Sequence, residues 1–293
     1  MAAGPLTPRL RAIAAAVVLG ELPMRAIGGG YRPLPPPDAL AVSELTAGSG
    51  PAIPPVVHQV WRSRTLGRSH ARSLRLLQQR NPDFTFHLYR HADADAFMAA
   101  QFAGEPIAEV YRRAVFPQMR ADIFRYAVLL RRGGVYLDIT KGLSQPLAAV
   151  VGGEDAAVLS YERNPMPEPP PAAIADRLAM PGHQLVQWCL MAAPGHPFLR
   201  RTLDNIVAAA DRLGNRPVAD PKATIIDLTG PRMLTRSVWQ VLTAQPMLTF
   251  GQRGIDYGEA VYPLHPRAWV CYAIRPSYAE AAHTPVLRPA DQG

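Results

Sequence analysis

From Ile53 onward the chain alternates between two hydrophobic rhythms. Short, near-continuous apolar runs at Val56–Trp61 (VVHQVW), Phe84–Tyr89 (FTFHLY) and Ala156–Tyr161 (AAVLSY) read as strands covered on both faces. Apolar residues spaced three and four apart predict helices over Ser69–Arg80, His91–Gln101, Gly104–Val115, Pro197–Arg212 and Pro231–Leu242. Gln184–Ala193 is an apolar stretch, and Thr224–Leu228 (TIIDL) reads as a short strand before the last helix. Five prolines between Asn164 and Pro171 mark a long loop, and short strands with turns follow Gly251. Strands alternating with helices predict an α/β fold: a mainly parallel, twisted sheet with helices on both faces. Residues 28–55, rich in Gly, Pro and Ser, predict an irregular arm, so one domain is expected over 53–293 after an arm of 1–52.

The most informative stretch is Arg120–Thr140, RADIFRYAVLLRRGGVYLDIT. It reads as a helix with Pro117 in its first turn, Arg131 and Arg132 in its last, and Gly133 as a left-handed cap. Val135–Ile139 then forms a buried strand. Asp122, Arg125 and Tyr126 stand at i, i+3 and i+4 and share a helix face. Tyr136, Asp138 and Thr140 project to one side of the strand, opposite Val135, Leu137 and Ile139. A polar helix face beside a strand tip that carries a carboxylate is where an open α/β sheet binds its ligand. The competing reading is a helix ion pair and a strand-capping aspartate.

At 293 residues, nearly half apolar and under a fifth charged, the chain is globular. Its formal charge is +8, and all but Lys141 and Lys222 of its basic residues are arginine. No run of arginines exceeds two, so a dedicated nucleic-acid tract is not expected. An anionic substrate or a peripheral contact with an anionic membrane surface suits the balance. Cys189 and Cys271 sit among apolar neighbours, as buried thiols in a reducing, cytoplasmic setting do, with a bridge between them the alternative. No Cys/His spacing suggests zinc. Ala12–Gly20 is too short to span a bilayer and predicts an amphipathic or packed helix.

Five blocks in order, IPPVVHQVW, NPDFTFHLY, RADIFRYAVLLRRGGVYLDIT, QWCLMAAPGHPFLRRTLDNI and TGPRMLT, resemble the DXD-type sugar-binding glycosyltransferases, the family of the initiating mannosyltransferases. A related core occurs in the clostridial glucosylating toxins. The resemblance implies a GT-A fold and transfer of a hexose, with retention, from a UDP- or GDP-sugar to a hydroxyl on a glycan, lipid or small molecule. It implies that Trp61 packs on the base, that Asp122 and Arg125 hold the donor sugar, that Tyr136 lines the diphosphate or ribose, and that Asp138 is the first acid of the DXD motif. Gln184 and Gln187 fall in a block that faces the acceptor in relatives. A Mn²⁺ or Mg²⁺ ion is the implied cofactor, since a nucleoside diphosphate leaving group needs an electrophile.

Here the chain departs from the pattern, because the second acid of the motif is Thr140, followed by Lys141. A threonine offers a hydroxyl but no charge. Asp256, Glu259 and His283 are the candidates to complete an ion site, and Lys141 could instead supply fixed charge. A non-catalytic nucleotide-sugar or glycan-binding module with a degenerate motif is the alternative function. His58 and His196 read as structural, and Asp227 and Thr229 as helix caps.

Overall fold

The computed structural model describes residues 53–61, 68–152, 155–263 and 281–290. The N-terminal arm, the Ala12–Gly20 segment and Cys271 lie outside the described residues. The chain opens with β1 (Val56–Trp61), α1 (Arg68–Arg80), β2 (Thr85–Arg90), α2 (His91–Gln101) and α3 (Pro106–Arg113). Then come α4 (Pro117–Arg132), β3 (Gly134–Leu137), β4 (Lys141–Leu143), α5 (Leu147–Val151), β5 (Ala157–Pro165) and α6 (Ala172–Ala175). The remainder is β6 (His183–Leu185), β7 (Cys189–Ala192), α7 (Pro197–Leu213), β8 (Pro217–Val218), α8 (Pro221–Leu228), α9 (Pro231–Ala244), β9 (Gly251–Ile255), β10 (Val261–Pro263) and β11 (Thr284–Pro285).

The central sheet has seven strands. β1 pairs in parallel with β2 and β3, and β5 in parallel with β9. β7 runs against both β3 and β5, so β2, β1, β3, β5 and β9 all point one way. The expected mainly parallel α/β sheet is present. Strand parity divides the core between its two faces. Val57, Phe86, Leu88, Val135, Leu137, Cys189 and Met191 pack on one face with α1 and α5 residues. Tyr89, Tyr136, Ala157, Leu159, Leu190 and Ala192 pack on the other with α2, α4, α7 and α9 residues.

α4 is buried nearly all round and lies against the sheet. Pro117 occupies its first turn and Gly133 caps it at φ 64°. Gly134 follows at φ 97°, where an added Cβ would stand 2.5 Å from the Val56 carbonyl oxygen of the neighbouring strand. Gly134→Ala is therefore expected to lower stability by about 3 kcal/mol, read from urea unfolding, because the atom in the way is backbone and cannot swing aside.

The structure corrects the reading of Thr224–Leu228, which is helical rather than a strand. Asp220 caps the helix through a hydrogen bond from the Ala223 N–H (2.9 Å), and Pro221 sits in the first turn. These start signals outweigh the β-branched Thr-Ile-Ile run. β3 ends at Leu137, two residues short of the expected Ile139, although the Asp138 N–H still donates to the Trp188 carbonyl (2.8 Å), one step further along the β3–β7 register. β5 continues to Pro165, into the proline-rich stretch.

β6 and β7 lie along the same edge of β5. Val158 pairs with both Met191 and Gly251, and Tyr161 with both Leu185 and Ile255, so both strands sit opposite β9. The gap between them, Val186 to Trp188, interrupts the edge beside the tip of β3. Among the described residues no helix is long and apolar enough to cross a membrane.

Candidate active site

At the carboxyl ends of β1 and β3 opens a cavity of about 470 Å³. Its walls include Trp61 from β1, Asp122 and Arg125 from α4, Tyr136 from β3, Asp138 and Thr140 just beyond it, and Gln187 and Trp188 from the broken edge. The end of α8 and start of α9 close it with Ile225 and Gly230. A larger cavity of about 640 Å³ lies elsewhere, between α2, α3 and α4, and none of these residues lines it.

Arg125 organises the centre. Its Nη2 lies 3.1 Å from Asp122 Oδ1 and 3.4 Å from Asp138 Oδ1. Nη1 donates to the Gln187 carbonyl at 3.0 Å, and the guanidinium stands 4.9 Å from the Tyr136 ring centroid. One planar fork thus ties helix, strand tip and broken edge together. Asp122 Oδ2 also accepts from the Thr229 hydroxyl at 3.0 Å. The Gln187 side chain donates to the Tyr126 hydroxyl (2.7 Å) and the Thr229 carbonyl (2.8 Å), and Tyr126 donates to that carbonyl at 3.0 Å. Every one of these buried polar groups is therefore partnered, as a rigid site requires. The Arg125 and Asp122 side chains are only 7% and 12% exposed, while Asp138 is 31% exposed and faces the opening.

Burial works against the Arg125 charge, but Asp138, then Tyr136 and Asp122, outweigh it and raise its pKa. Burial lifts Asp122 from the ordinary 3.8 to about 7, against the pull of Arg125 and Thr229. Between about pH 4 and 7 the folded protein holds a proton here that the unfolded chain has released. This contribution to stability therefore falls as pH rises through that window and is constant above it. Thermal unfolding across pH checks this: relative to Asp122→Asn, the wild type is expected to lose ground from pH 4 to 7.

The cavity collects Trp61, Asp122, Arg125, Tyr136, Asp138, Thr140 and Gln187. It does not include Gln184, which is buried and donates to the Pro165 carbonyl at 2.9 Å. Nor does it include His283, an exposed residue at φ 49° just before β11, which pairs with β8. Lys141, Asp256 and Glu259 line a separate cavity. Asp227 pairs with Arg232 and Arg236, away from the centre.

His58 is structural. Burial lowers its pKa to about 3, its Nε2 donates to the Gly133 carbonyl (3.0 Å), and its Nδ1 accepts from the Tyr89 hydroxyl (3.2 Å). His196 caps α7 by accepting from the Phe198 N–H. Thr229, read from the sequence as a helix-entry cap, closes α8 with its backbone while its hydroxyl holds Asp122, and the TGP turn was the signal that could have placed it here. Tyr126 lies on the polar α4 face that its spacing from Asp122 and Arg125 predicted, whereas Trp188 carried no polar pattern that would single it out.

Residues 67–157 match the family described as "Glycosyltransferase sugar-binding region containing DXD motif". This region contains Asp122, Arg125, Tyr136 and Asp138, whereas Trp61, Gln187 and Thr229 lie outside it. Among curated proteins, the initiation-specific α-1,6-mannosyltransferase of Candida albicans is 24% identical over 210 residues, 64% of this chain and 53% of that one. Its Schizosaccharomyces pombe counterpart is 24% identical over 174 residues, 56% and 43% of the two chains. Inositol phosphoceramide mannosyltransferase 2 of S. pombe is 29% identical over 121 residues, 41% and 33%. The chain spans about half the length of these curated relatives. A solved structure, the PaToxG glycosyltransferase, overlaps at 18% identity with a TM-score of 0.44, covering 66% of this chain and 71% of that one.

Proposed function

We propose that the chain is a glycosyltransferase that moves a hexose from a UDP- or GDP-sugar to a hydroxyl of a glycan, lipid or small molecule, with retention. The observation that carries this reading is Arg125, buried between Asp122 and Asp138 in a cavity that also contains Trp61. The names of the relatives make mannose the first sugar to try.

Trp61 offers an aromatic face to the base, worth about 1–3 kcal/mol when stacked. Asp122 and Arg125 present an acceptor and a donor to the sugar hydroxyls, held in place by Thr229, Gln187 and Tyr126. In the transfer, the bond from the sugar's anomeric carbon to the diphosphate breaks and its electron pair leaves with the phosphate oxygen. The acceptor oxygen forms the new bond to that carbon, and its proton passes to the departing phosphate. A retaining course is supported by the pairing of both cavity carboxylates with Arg125, which makes each a weaker base for the acceptor proton.

Among the described residues no group of three or more His, Cys, Asp or Glu side chains could hold a metal ion by itself. The cavity nevertheless fits an ion that arrives with the diphosphate, since Mg²⁺ and Mn²⁺ take few protein oxygens and several from phosphate. Asp138 would hold it, with the Thr140 hydroxyl as a neutral second oxygen. Such an ion supplies positive charge to the leaving group. Arg125, 3.4 Å from the same carboxylate, contributes charge of its own.

A thermal-shift series with UDP, GDP and their hexose sugars, with and without Mn²⁺, tests the reading. One nucleotide at a hundred times its Kd is expected to stabilise the fold by about 2.7 kcal/mol, or roughly 5–10 °C. No stabilisation by any nucleotide overturns the proposal. The single carboxylate at the motif favours one rival, a binding module without turnover. It predicts the same shift but no release of nucleoside diphosphate from any donor.

A further inference from the structure

Across Trp188 from the donor cavity lies a second one, of about 500 Å³, lined by Lys141, Glu162, Asn164, Asp256 and Tyr262. Trp188 lines both. They also meet along the backbone: Thr140 lines the first and Lys141 the second, so the two cavities begin one residue apart. Asp138, where the diphosphate would sit, lines the first cavity close to that boundary.

The second cavity is pre-formed. Asp256, Tyr257 and Glu259 all adopt left-handed backbone, at φ 49°, 59° and 63°, which non-glycine residues hold only where their surroundings compel it. Tyr257 is the anchor, its hydroxyl donating to the Cys189 carbonyl (2.8 Å) and its N–H to the Ser160 hydroxyl (2.7 Å). This turn carries Asp256 and leads into Tyr262. The Tyr262 ring is 41% exposed, one of three large apolar side chains so exposed among the described residues. Glu162, half-buried, accepts from Asn164 Nδ2 at 3.0 Å, and the Lys141 ammonium lies 4.1 Å from the Trp188 ring centroid.

We propose that this second cavity is the acceptor subsite, and that it takes a neutral sugar ring stacked on Tyr262 with its hydroxyls on Glu162 and Asn164. The proposal rests on the transferase reading and specifies its acceptor. Aromatic faces suit the C–H face of a sugar, and carboxylate and amide suit its hydroxyls. The charge selects for neutrality: Glu162, Asp256 and Glu259 outnumber Lys141 and Arg163 here, in a chain whose formal charge is +8. An acceptor that carries a phosphate or carboxylate at this point would meet like charge.

The test is saturation-transfer NMR on the full chain, using methyl glycosides of mannose, glucose and galactose with glucuronate as the anionic control. Wild type, Tyr262→Ala and Glu162→Gln are compared, with and without Mn²⁺ and nucleotide. At least one neutral glycoside is expected to bind the wild type more tightly than glucuronate. Each variant is expected to weaken that binding about tenfold, the scale of one lost contact, while keeping the wild-type nucleotide shift. The proposal is overturned if no neutral glycoside binds, if glucuronate binds as well, or if both variants bind as the wild type does. Absence of a nucleotide shift in the wild type defeats the transferase reading instead, and the sugar measurement stands apart from it.

Discussion

Arg125→Met is expected to abolish transfer and to lower stability by about 3–5 kcal/mol, the cost of leaving buried charge uncompensated. The side chain is 7% exposed and lies within 3.4 Å of two carboxylates. Methionine fills much of the volume but leaves Asp122 and Asp138 facing each other across an apolar gap. It also leaves the Gln187 carbonyl without its donor. A double variant separates the causes. Without Arg125 the buried Asp122, already lifted to about 7, must take up a proton. Adding Asp122→Asn to Arg125→Met removes that cost and should restore part of the stability at neutral pH but none of the activity. Arg125→Lys should keep the fold yet lose at least tenfold in kcat/KM, because an ammonium cannot reach both carboxylates and a carbonyl in one plane. Urea unfolding and donor-hydrolysis kinetics read the two effects independently.

The second large effect is at Asp138. Asp138→Asn is expected to lower kcat by about 10²–10³, the usual loss when a group aimed at developing charge is neutralised. Its melting temperature should stay close to that of the wild type. The two expectations diverge because Asp138 is 31% exposed and its backbone, not its side chain, ties the strand tip to Trp188. Arg125 keeps Asp122 as its partner in this variant. The same change should remove any Mn²⁺ dependence of nucleotide binding, since Thr140 alone offers an uncharged oxygen. Retained activity with unchanged metal dependence would place the electrophile elsewhere.

Those contrasts show where sequence pattern stops being informative. The α4–β3 unit was legible because its signals are local: Pro117 and Gly133 bound the helix, and the apolar run after Gly134 sets strand parity. The same parity placed Tyr136 on the α4 side of the sheet and Val135 and Leu137 on the other. Thr224–Leu228 was misread because composition suggested a strand while the deciding cap, Asp220, stands four residues upstream. The interruption between β6 and β7 left no periodic trace, since Val186, Gln187 and Trp188 look like more of the same apolar stretch.

By itself, then, the sequence determined the order of the main strands and helices up to Thr224–Leu228, the two faces of the sheet, and the acid and arginine that α4 and β3 present. Periodicity and capping act within a few residues and can be read there. Only the tertiary structure decided that Thr229 would hold Asp122 across 107 residues of chain, and that Gln187 would meet Tyr126 across 61. It alone brought Trp188 to line both cavities and drew His283 and Gln184 away from the first. Such contacts depend on how whole faces pack and where a strand breaks, and no short stretch of sequence carries that information.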